Sequence, residues 1–119
     1  MEQKTERLIK MLRSGTEKNT LSWETTERKS QFRLPLRSGF VTIDRWAGFD
    51  EETQEEFDVI EVTFLNQKGD PIDTFRSSAG NPGDYILLAS MHDAARRNAN
   101  KVDEILSDLF NEVQERVQE

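Results

Sequence analysis

Six carboxylates lie close together in the segment GFDEETQEEFDV, which spans residues 48–59. They are Asp50, Glu51, Glu52, Glu55, Glu56 and Asp58. A calcium loop places oxygen ligands at alternating positions and a glycine at its bend. This segment has no such alternation, and no glycine follows residue 48 within it. The pattern therefore indicates a charged connector between two strands, and we predict no metal and no cofactor.

The same acidic segment has a second interpretation, as a binding surface. Its charges could engage a basic partner, such as a nuclease or another nucleic-acid-binding protein. They could also keep neighbouring strand edges from pairing with other chains. The residues that we predict to contact a protein partner are Glu51, Glu52, Glu55, Glu56 and Asp58.

The residues available for catalysis are few. His92 is the single histidine, and the chain has no cysteine. These counts exclude a two-histidine metal site, a thiolate nucleophile and a disulfide within one chain. Asp93 follows His92, but adjacent residues of a helix point in different directions. We predict that His92 is an ordinary surface or flanking residue and that the protein is not an enzyme; an enzyme that uses His92 with nearby acids is the alternative.

Direct binding of nucleic acid is a further alternative. A basic strand face with aromatic neighbours could stack bases and hold phosphates. Its candidates are Arg28, Lys29, Arg33, Arg37 and Arg45, with Trp23 or Trp46 nearby. The formal net charge of -7 argues against this function, because nucleic-acid-binding domains are usually basic.

Length and composition predict one domain over residues 1–119, since this is a common size for a single core. The charged N-terminus has no apolar run of signal-peptide length, and no window approaches a membrane span. We therefore expect a cytoplasmic protein that does not contact a membrane. Residues 1–46 carry a balance of +4 and residues 47–119 one of -11, which could steer a charged partner to one face.

Hydrophobic periodicity predicts an α+β fold with an N-terminal helix, an antiparallel meander of four to five strands and a long C-terminal helix on one sheet face. Pro35 indicates an edge or a bulge in the second strand, because proline cannot donate to a ladder. Gly15 is expected to end the first helix. The predicted helices cover about 2–14 and 84–117, and the predicted strands about 20–25, 30–36, 40–46, 57–65 and 72–76.

The length of the last helix leaves three arrangements open. One unbroken helix over residues 84–117 would measure roughly 50 Å, whereas a strand of five or six residues spans about 20 Å. The overhang could pack on the N-terminal helix or on a second chain, or the helix could break near residues 98–100. We predict a homodimer through this helix, with the monomer as the alternative. The predicted interface residues are Asn98, Val102, Ile105, Leu109, Phe110 and Val113.

Four stretches, LIKMLRSGT, LSWE, QKGDPI and AARRNANKVDEILSDLF, give the chain a family likeness. In this combination it resembles a loose group of small stand-alone bacterial proteins of uncharacterised activity. The resemblance implies a helix, sheet, helix order and a bacterial origin, and it implies no activity. Together with the absence of a catalytic set, the charge pattern predicts a non-enzymatic protein-interaction module, such as a regulator or an immunity-like inhibitor.

Overall fold

The chain folds into one helix, a five-stranded antiparallel sheet and two further helices, and the computed structural model describes residues 1–78 and 82–118. This is the predicted α+β class. The helices are α1 (Gln3–Glu17), α2 (Pro82–Ala99) and α3 (Val102–Gln118). The strands are β1 (Glu24–Thr25), β2 (Phe32–Leu36), β3 (Gly39–Asp50), β4 (Glu55–Asn66) and β5 (Pro71–Ser78).

The sheet is a simple meander in which each strand pairs with the next one along the chain. Gly39 begins β3 at a φ of 154°, and Gly69 has a φ of 86° in the turn between β4 and β5. Both angles favour glycine, because a side chain at positive φ is strained. Pro35 lies opposite Phe40 of β3, beyond the two residues of β1, so it has the predicted edge position.

One face of the sheet packs against α2, and α1 packs against α2. Strand alternation places the apolar side chains of β2, β3 and β4 on this face, and α2 adds side chains at helical spacing. The buried apolar residues form one cluster. Its most deeply buried members are Ile9, Leu34, Ile43, Ile60, Val62, Leu88, Met91 and Ala95.

The first elements differ in length from the prediction. Helix α1 passes through Gly15 and ends at Glu17, because Thr16 is buried and its hydroxyl donates to the Leu12 carbonyl oxygen at 2.6 Å. The strand predicted over residues 20–25 is reduced to Glu24–Thr25. The Trp23 backbone N–H does not join a ladder and instead donates to the Asn98 side chain at 2.8 Å.

The C-terminal helix is two helices, which corrects the single helix predicted over residues 84–117. Lys101 interrupts it with a φ of 52°, and its N–H donates to the Asn98 carbonyl oxygen at 3.2 Å. The break covers Asn100 and Lys101, so it overlaps the segment 98–100 that the sequence left open as a break point. Helix α2 covers the sheet, whereas none of the described side chains of α3 is buried.

Candidate functional site

The most prominent feature of the surface is a two-stranded extension of the sheet, formed by residues 47–58, which we call the hairpin arm. Pairing between β2 and β3 ends at Ile43, and pairing between β4 and β5 ends at Val59. Beyond those residues β3 and β4 continue to pair with each other as far as Asp50 and Glu55. Among the described residues, neither strand has a second strand partner in this part of the sheet. The acidic segment is therefore mostly strand, which corrects its interpretation as a connector.

The tip of the arm is a turn over residues 51–54 that is held by its own polar groups. Asp50 accepts the Gln54 N–H on its carbonyl oxygen at 2.8 Å, and its side chain accepts the Glu52 N–H at 2.9 Å. Gln54 has a φ of 59°, as the tight reversal requires. These bonds hold the backbone of the turn and the Asp50 carboxylate in place.

Each face of the arm carries an aromatic side chain among the acids. Phe49 lies opposite Glu56, and Phe57 lies opposite Gly48 on the other face. Phe49 is 55% exposed and Phe57 is 40% exposed. A Cβ added to Gly48 would lie 2.5 Å from the Phe57 ring, so glycine lets this ring lie across the strand. Exposed aromatics of this kind are typical of protein interfaces.

The predicted partner residues separate into two groups. Glu51 and Glu52 lie in the turn, Glu55 and Glu56 begin β4, and all four are exposed. Asp58 instead lies at the base of the arm and is bound within the chain. It forms an ion pair with Arg45 at 2.5 Å and accepts a hydrogen bond from the Tyr85 hydroxyl.

These bonds shift the pKa values of Asp58 and Tyr85 at the base of the arm. Burial raises the pKa of Asp58, but the hydrogen bonds from Arg45 and Tyr85 outweigh burial, and the pKa is lowered. The pKa of Tyr85 is raised, chiefly by its hydrogen bond to Asp58. The phenol therefore keeps its proton and ties α2 to β4, so that the base of the arm is anchored to the body.

His92 is a structural residue, which corrects its assignment to the surface or a flank. It is 7% exposed, and its ring packs on Phe32 with centroids 5.4 Å apart. Its Nε2 lies 2.8 Å from the Ser30 carbonyl oxygen. A carbonyl oxygen only accepts, so Nε2 carries the proton. Its neighbour Asp93 is exposed and pairs with Arg96, so the two residues form no catalytic pair.

The burial of His92 predicts a loss of stability in weak acid. Burial lowers its pKa, and the unfolded histidine, with a pKa of about 6.5, then binds a proton before the folded one does. The free energy of unfolding should therefore fall as the pH drops from about 7 through the window just below 6.5. Urea unfolding of the wild type and of His92→Gln checks this, because the chain has no other histidine. An equal decline in both proteins would contradict the assignment.

The residues of the predicted basic strand face do not form one free surface. Arg28 pairs with Asp44 at 2.8 Å, Arg33 with Glu24 at 2.8 Å and Arg45 with Asp58. Trp23 is buried, with its indole N–H donating to the Thr16 hydroxyl at 2.8 Å, and Arg76 covers the Trp46 ring. Lys29 and Arg37 are exposed. Three of the five cations are thus already neutralised within the chain.

The described residues contain no group of three His, Cys, Asp or Glu residues that could hold a metal ion. A cavity of about 380 Å³ lies where α1 ends beside the start of α3, and charges of both signs line it. Among its lining residues are Glu17, Arg97, Lys101 and Glu104. Because both acidic and basic side chains line this cavity, its charge favours neither an anionic nor a cationic ligand.

The residues predicted for the dimer interface differ in exposure: Asn98 is bonded within the chain, whereas the apolar residues of α3 beyond Val102 are exposed. The Asn98 side chain is hydrogen-bonded inside the chain, where its Oδ1 accepts the Trp23 N–H and its Nδ2 donates to the Leu21 carbonyl oxygen at 2.9 Å. Val102 is half-buried. The apolar residues further along α3 are at least half exposed. They are Ile105, Leu106, Leu109, Phe110, Val113 and Val117.

Comparison of the chain with protein-family models, with curated proteins and with solved structures gave no significant match. The resemblance to small bacterial proteins therefore stays a prediction. None of the helices in the described part of the chain is both long and apolar enough to cross a bilayer.

Sequence reasoning missed Phe49 and Phe57 as surface residues and Tyr85 as an anchor. Phe49 and Phe57 flank the acids of FDEETQEEF, and no turn motif such as Asn-Gly or Asp-Gly marks this segment as a hairpin. No local signal joins Tyr85 to Asp58, because 27 residues separate them.

Proposed function

We propose that the protein is a non-enzymatic protein-interaction module whose hairpin arm binds a basic surface on a partner protein. The observation that carries this proposal is the combination, on one projecting hairpin, of four exposed carboxylates and two exposed phenylalanines. The carboxylates attract a basic surface, and the aromatic rings supply apolar contact area once it arrives.

The charge state of the arm supports this function. Glu24, Asp44, Asp58 and Glu61 are each paired with an arginine of the same chain. Among the ion pairs of the described residues, none uses the four glutamates of the arm. These glutamates are Glu51, Glu52, Glu55 and Glu56. A partner would therefore not have to break an existing pair to reach them.

The chemistry of the remaining surface favours binding over catalysis. His92 is buried and bonded, and Tyr85 is held as a protonated phenol, so neither is a free general base. An acidic projection suits a regulator or an immunity-like inhibitor that occupies the basic site of a nuclease or another nucleic-acid-binding protein. We place this activity in the cytoplasm.

A pull-down from the native host tests the proposal. The bait is the wild type, compared with an arm variant in which Glu51, Glu52, Glu55 and Glu56 are all changed to glutamine. We expect the wild type to retain a basic protein that the arm variant loses. Retention should also fall as salt rises from about 0.1 to 1 M, because the Debye length shortens from about 10 to 3 Å.

The matched control neutralises the same number of exposed acids elsewhere. Glu2, Glu17, Glu27 and Asp70 are exposed and lie outside the arm, and their change to the corresponding amides should leave the retained protein in place. Equal loss from both variants would show that net charge, not the arm, governs binding. If the arm variant retained every protein that the wild type retains, the proposal would be abandoned.

A further inference from the structure

The edge of β3 that faces away from β4 is free along the hairpin arm. Strand β2 pairs with β3 only as far as Ile43, and among the described residues no other strand continues in its place. The free edge covers residues 45–50, which is about 20 Å of extended chain. Strands of five or six residues commonly have this length. The edge is therefore long enough to accept one more strand.

Backbone groups on this edge point away from β4. Residues of an antiparallel pair alternate between those whose N–H and C=O groups bond to the partner strand and those whose groups point outward. The Asp50 carbonyl oxygen points inward, because it accepts the Gln54 N–H at 2.8 Å where the arm closes. The alternation then turns the N–H and C=O groups of Arg45, Ala47 and Phe49 outward.

The free edge ends at the body of the protein in a cluster of polar contacts. The Asp44 carboxylate accepts the outward Arg45 N–H at 2.8 Å, which agrees with the alternation. The same carboxylate holds the connector between β1 and β2, through the Ser30 hydroxyl at 2.7 Å and the Arg28 guanidinium at 2.8 Å. An added strand can therefore lie between this cluster and the tip of the arm.

This edge lacks the backbone features that protect the other edges of the sheet. An unpaired edge is a template for other chains, and proteins commonly block it with proline, a bulge or charge. Strand β2 contains Pro35, and β5 begins at Pro71 next to a register shift between Phe64 and Leu65. Residues 45–50 contain no proline, and the pairing of β3 with β4 is regular throughout. Charge is what remains to select the strand that pairs here.

The charge of the arm favours a basic strand. Residues 47–58 contain six acids and no lysine or arginine. Asp50 lies on the edge strand itself, and Glu55 and Glu56 lie on β4, which would be about 10 Å from an added strand. This separation is comparable with the Debye length at physiological salt. The arm of a second copy carries the same acids and would be repelled, so the occupant is a basic segment of another protein.

The two phenylalanines of the arm offer apolar contact on both faces of an added strand. Phe49 projects from one face of β3, and the Phe57 ring lies across Gly48 on the other face. Side chains of the added strand that lie next to Phe49 and Gly48 would each contact an aromatic ring. The edge therefore presents apolar contacts as well as backbone hydrogen-bonding groups.

We infer that the partner protein binds by adding a basic, extended segment to residues 45–50 as a further strand of the sheet. This inference rests on the proposed function of the hairpin arm, and it names the conformation and charge of the segment that the partner supplies. Main-chain hydrogen bonds to Ala47 and Phe49 hold the segment. The acids of the arm exclude acidic segments and other copies of the chain.

A short synthetic peptide of alternating lysine and valine tests strand addition on the full chain, with amide hydrogen exchange as the measurement. In the free protein the N–H groups of Ala47 and Phe49 should exchange fast, whereas those of Trp46 and Gly48 should be protected by β4. Saturating peptide should slow exchange at Ala47 and Phe49 at least about tenfold. The same peptide methylated at every backbone nitrogen keeps its charge and should not slow it.

Two outcomes of this measurement would overturn the inference. One is that the alternating peptide leaves exchange at Ala47 and Phe49 unchanged. The other is that the methylated peptide protects them equally, because charge alone would then account for binding. Neither outcome depends on a variant that has to fold.

A proline substitution separates strand addition from the proposed function. Ala47→Pro removes an outward N–H and keeps all four glutamates of the arm, and proline is tolerated where an edge N–H faces solvent. In the pull-down this variant should lose the basic protein that the wild type retains. The matched control is Thr74→Pro on the free edge of β5, where the Thr74 N–H bonds only to the Asp73 side chain at 2.9 Å. The control should retain the protein, and circular dichroism should show both variants folded.

The pattern of retention tells the two proposals apart. A basic protein that is lost by the arm variant but retained by Ala47→Pro would leave the arm as the binding surface and overturn strand addition. Equal loss from Ala47→Pro and Thr74→Pro would also count against strand addition, because the effect would not be specific to residues 45–50. If the wild type retained no basic protein, the proposed function would fail and strand addition would fail with it.

Discussion

Gly39→Ala should strongly destabilise the fold. A Cβ at residue 39 would lie 2.1 Å from the Leu65 carbonyl oxygen, in a backbone region with a φ of 154° that side chains rarely adopt. The contact atom belongs to the backbone of β4, so the clash is relieved only by separating β3 from β4 at their first pairs. We expect a loss of about 3–5 kcal/mol in the free energy of unfolding, measured by urea denaturation.

The matched control for this prediction is Gly69→Ala. Gly69 also has a positive φ, of 86°, but no atom lies within 4 Å of the position of its Cβ. That variant should lose only the roughly 1–2 kcal/mol that a left-handed conformation costs an L residue. If Gly39→Ala were no more destabilising than Gly69→Ala, the close approach of β3 to β4 at this point would be refuted.

Asn98→Ala should destabilise the protein by about 2–4 kcal/mol, because one amide joins α2 to the chain between α1 and β1. Its Oδ1 accepts the Trp23 N–H at 2.8 Å, and its Nδ2 donates to the carbonyl oxygens of Leu21 at 2.9 Å and Thr16 at 3.2 Å. Alanine leaves these partly buried backbone groups without a partner. Thermal or urea unfolding measures the loss.

Two further substitutions make this prediction specific. Asn98→Asp keeps the acceptor for the Trp23 N–H but sets a carboxylate against two carbonyl oxygens, so it should destabilise at least as much as alanine. Asn100→Ala removes a single exposed bond to the Arg96 carbonyl oxygen and should change stability by less than about 0.5 kcal/mol. Similar losses at residues 98 and 100 would show that the amide of Asn98 does not hold the two segments together.

Strong periodicity accounts for what could be predicted of the fold. Hydrophobic periodicity was sufficient for the class and for the helix, sheet, helix order, although the last helix is divided in two. The shortened β1 was not predictable, because the Trp23 N–H takes its partner from Asn98, 75 residues later. The burial of His92 likewise depends on the Ser30 carbonyl oxygen, 62 residues away. Contacts at such separations leave no local pattern.

The hairpin arm was only half predictable. The acids of residues 50–58 marked a solvated segment correctly, and their exposure followed from their charge. Their strand conformation did not follow, since Asp and Glu are disfavoured in strands. Cross-strand pairing through Asp50 and Glu55 outweighs that preference. The sequence predicted that the end of the last helix would extend beyond the sheet. The separation of α3 from the sheet was not predictable, because it depends on the φ of 52° at Lys101.

We propose that the tip of the hairpin arm is the surface that contacts a partner protein. The most direct measurement is photocrosslinking in the native host from a reactive side chain placed at Thr53, in the exposed turn of the arm. The control position is Lys68, in the exposed turn between β4 and β5. We expect a covalent adduct with a basic protein from residue 53 and none from residue 68. An adduct of equal yield from both positions, or from residue 68 alone, would contradict the assignment of the tip as the contact surface.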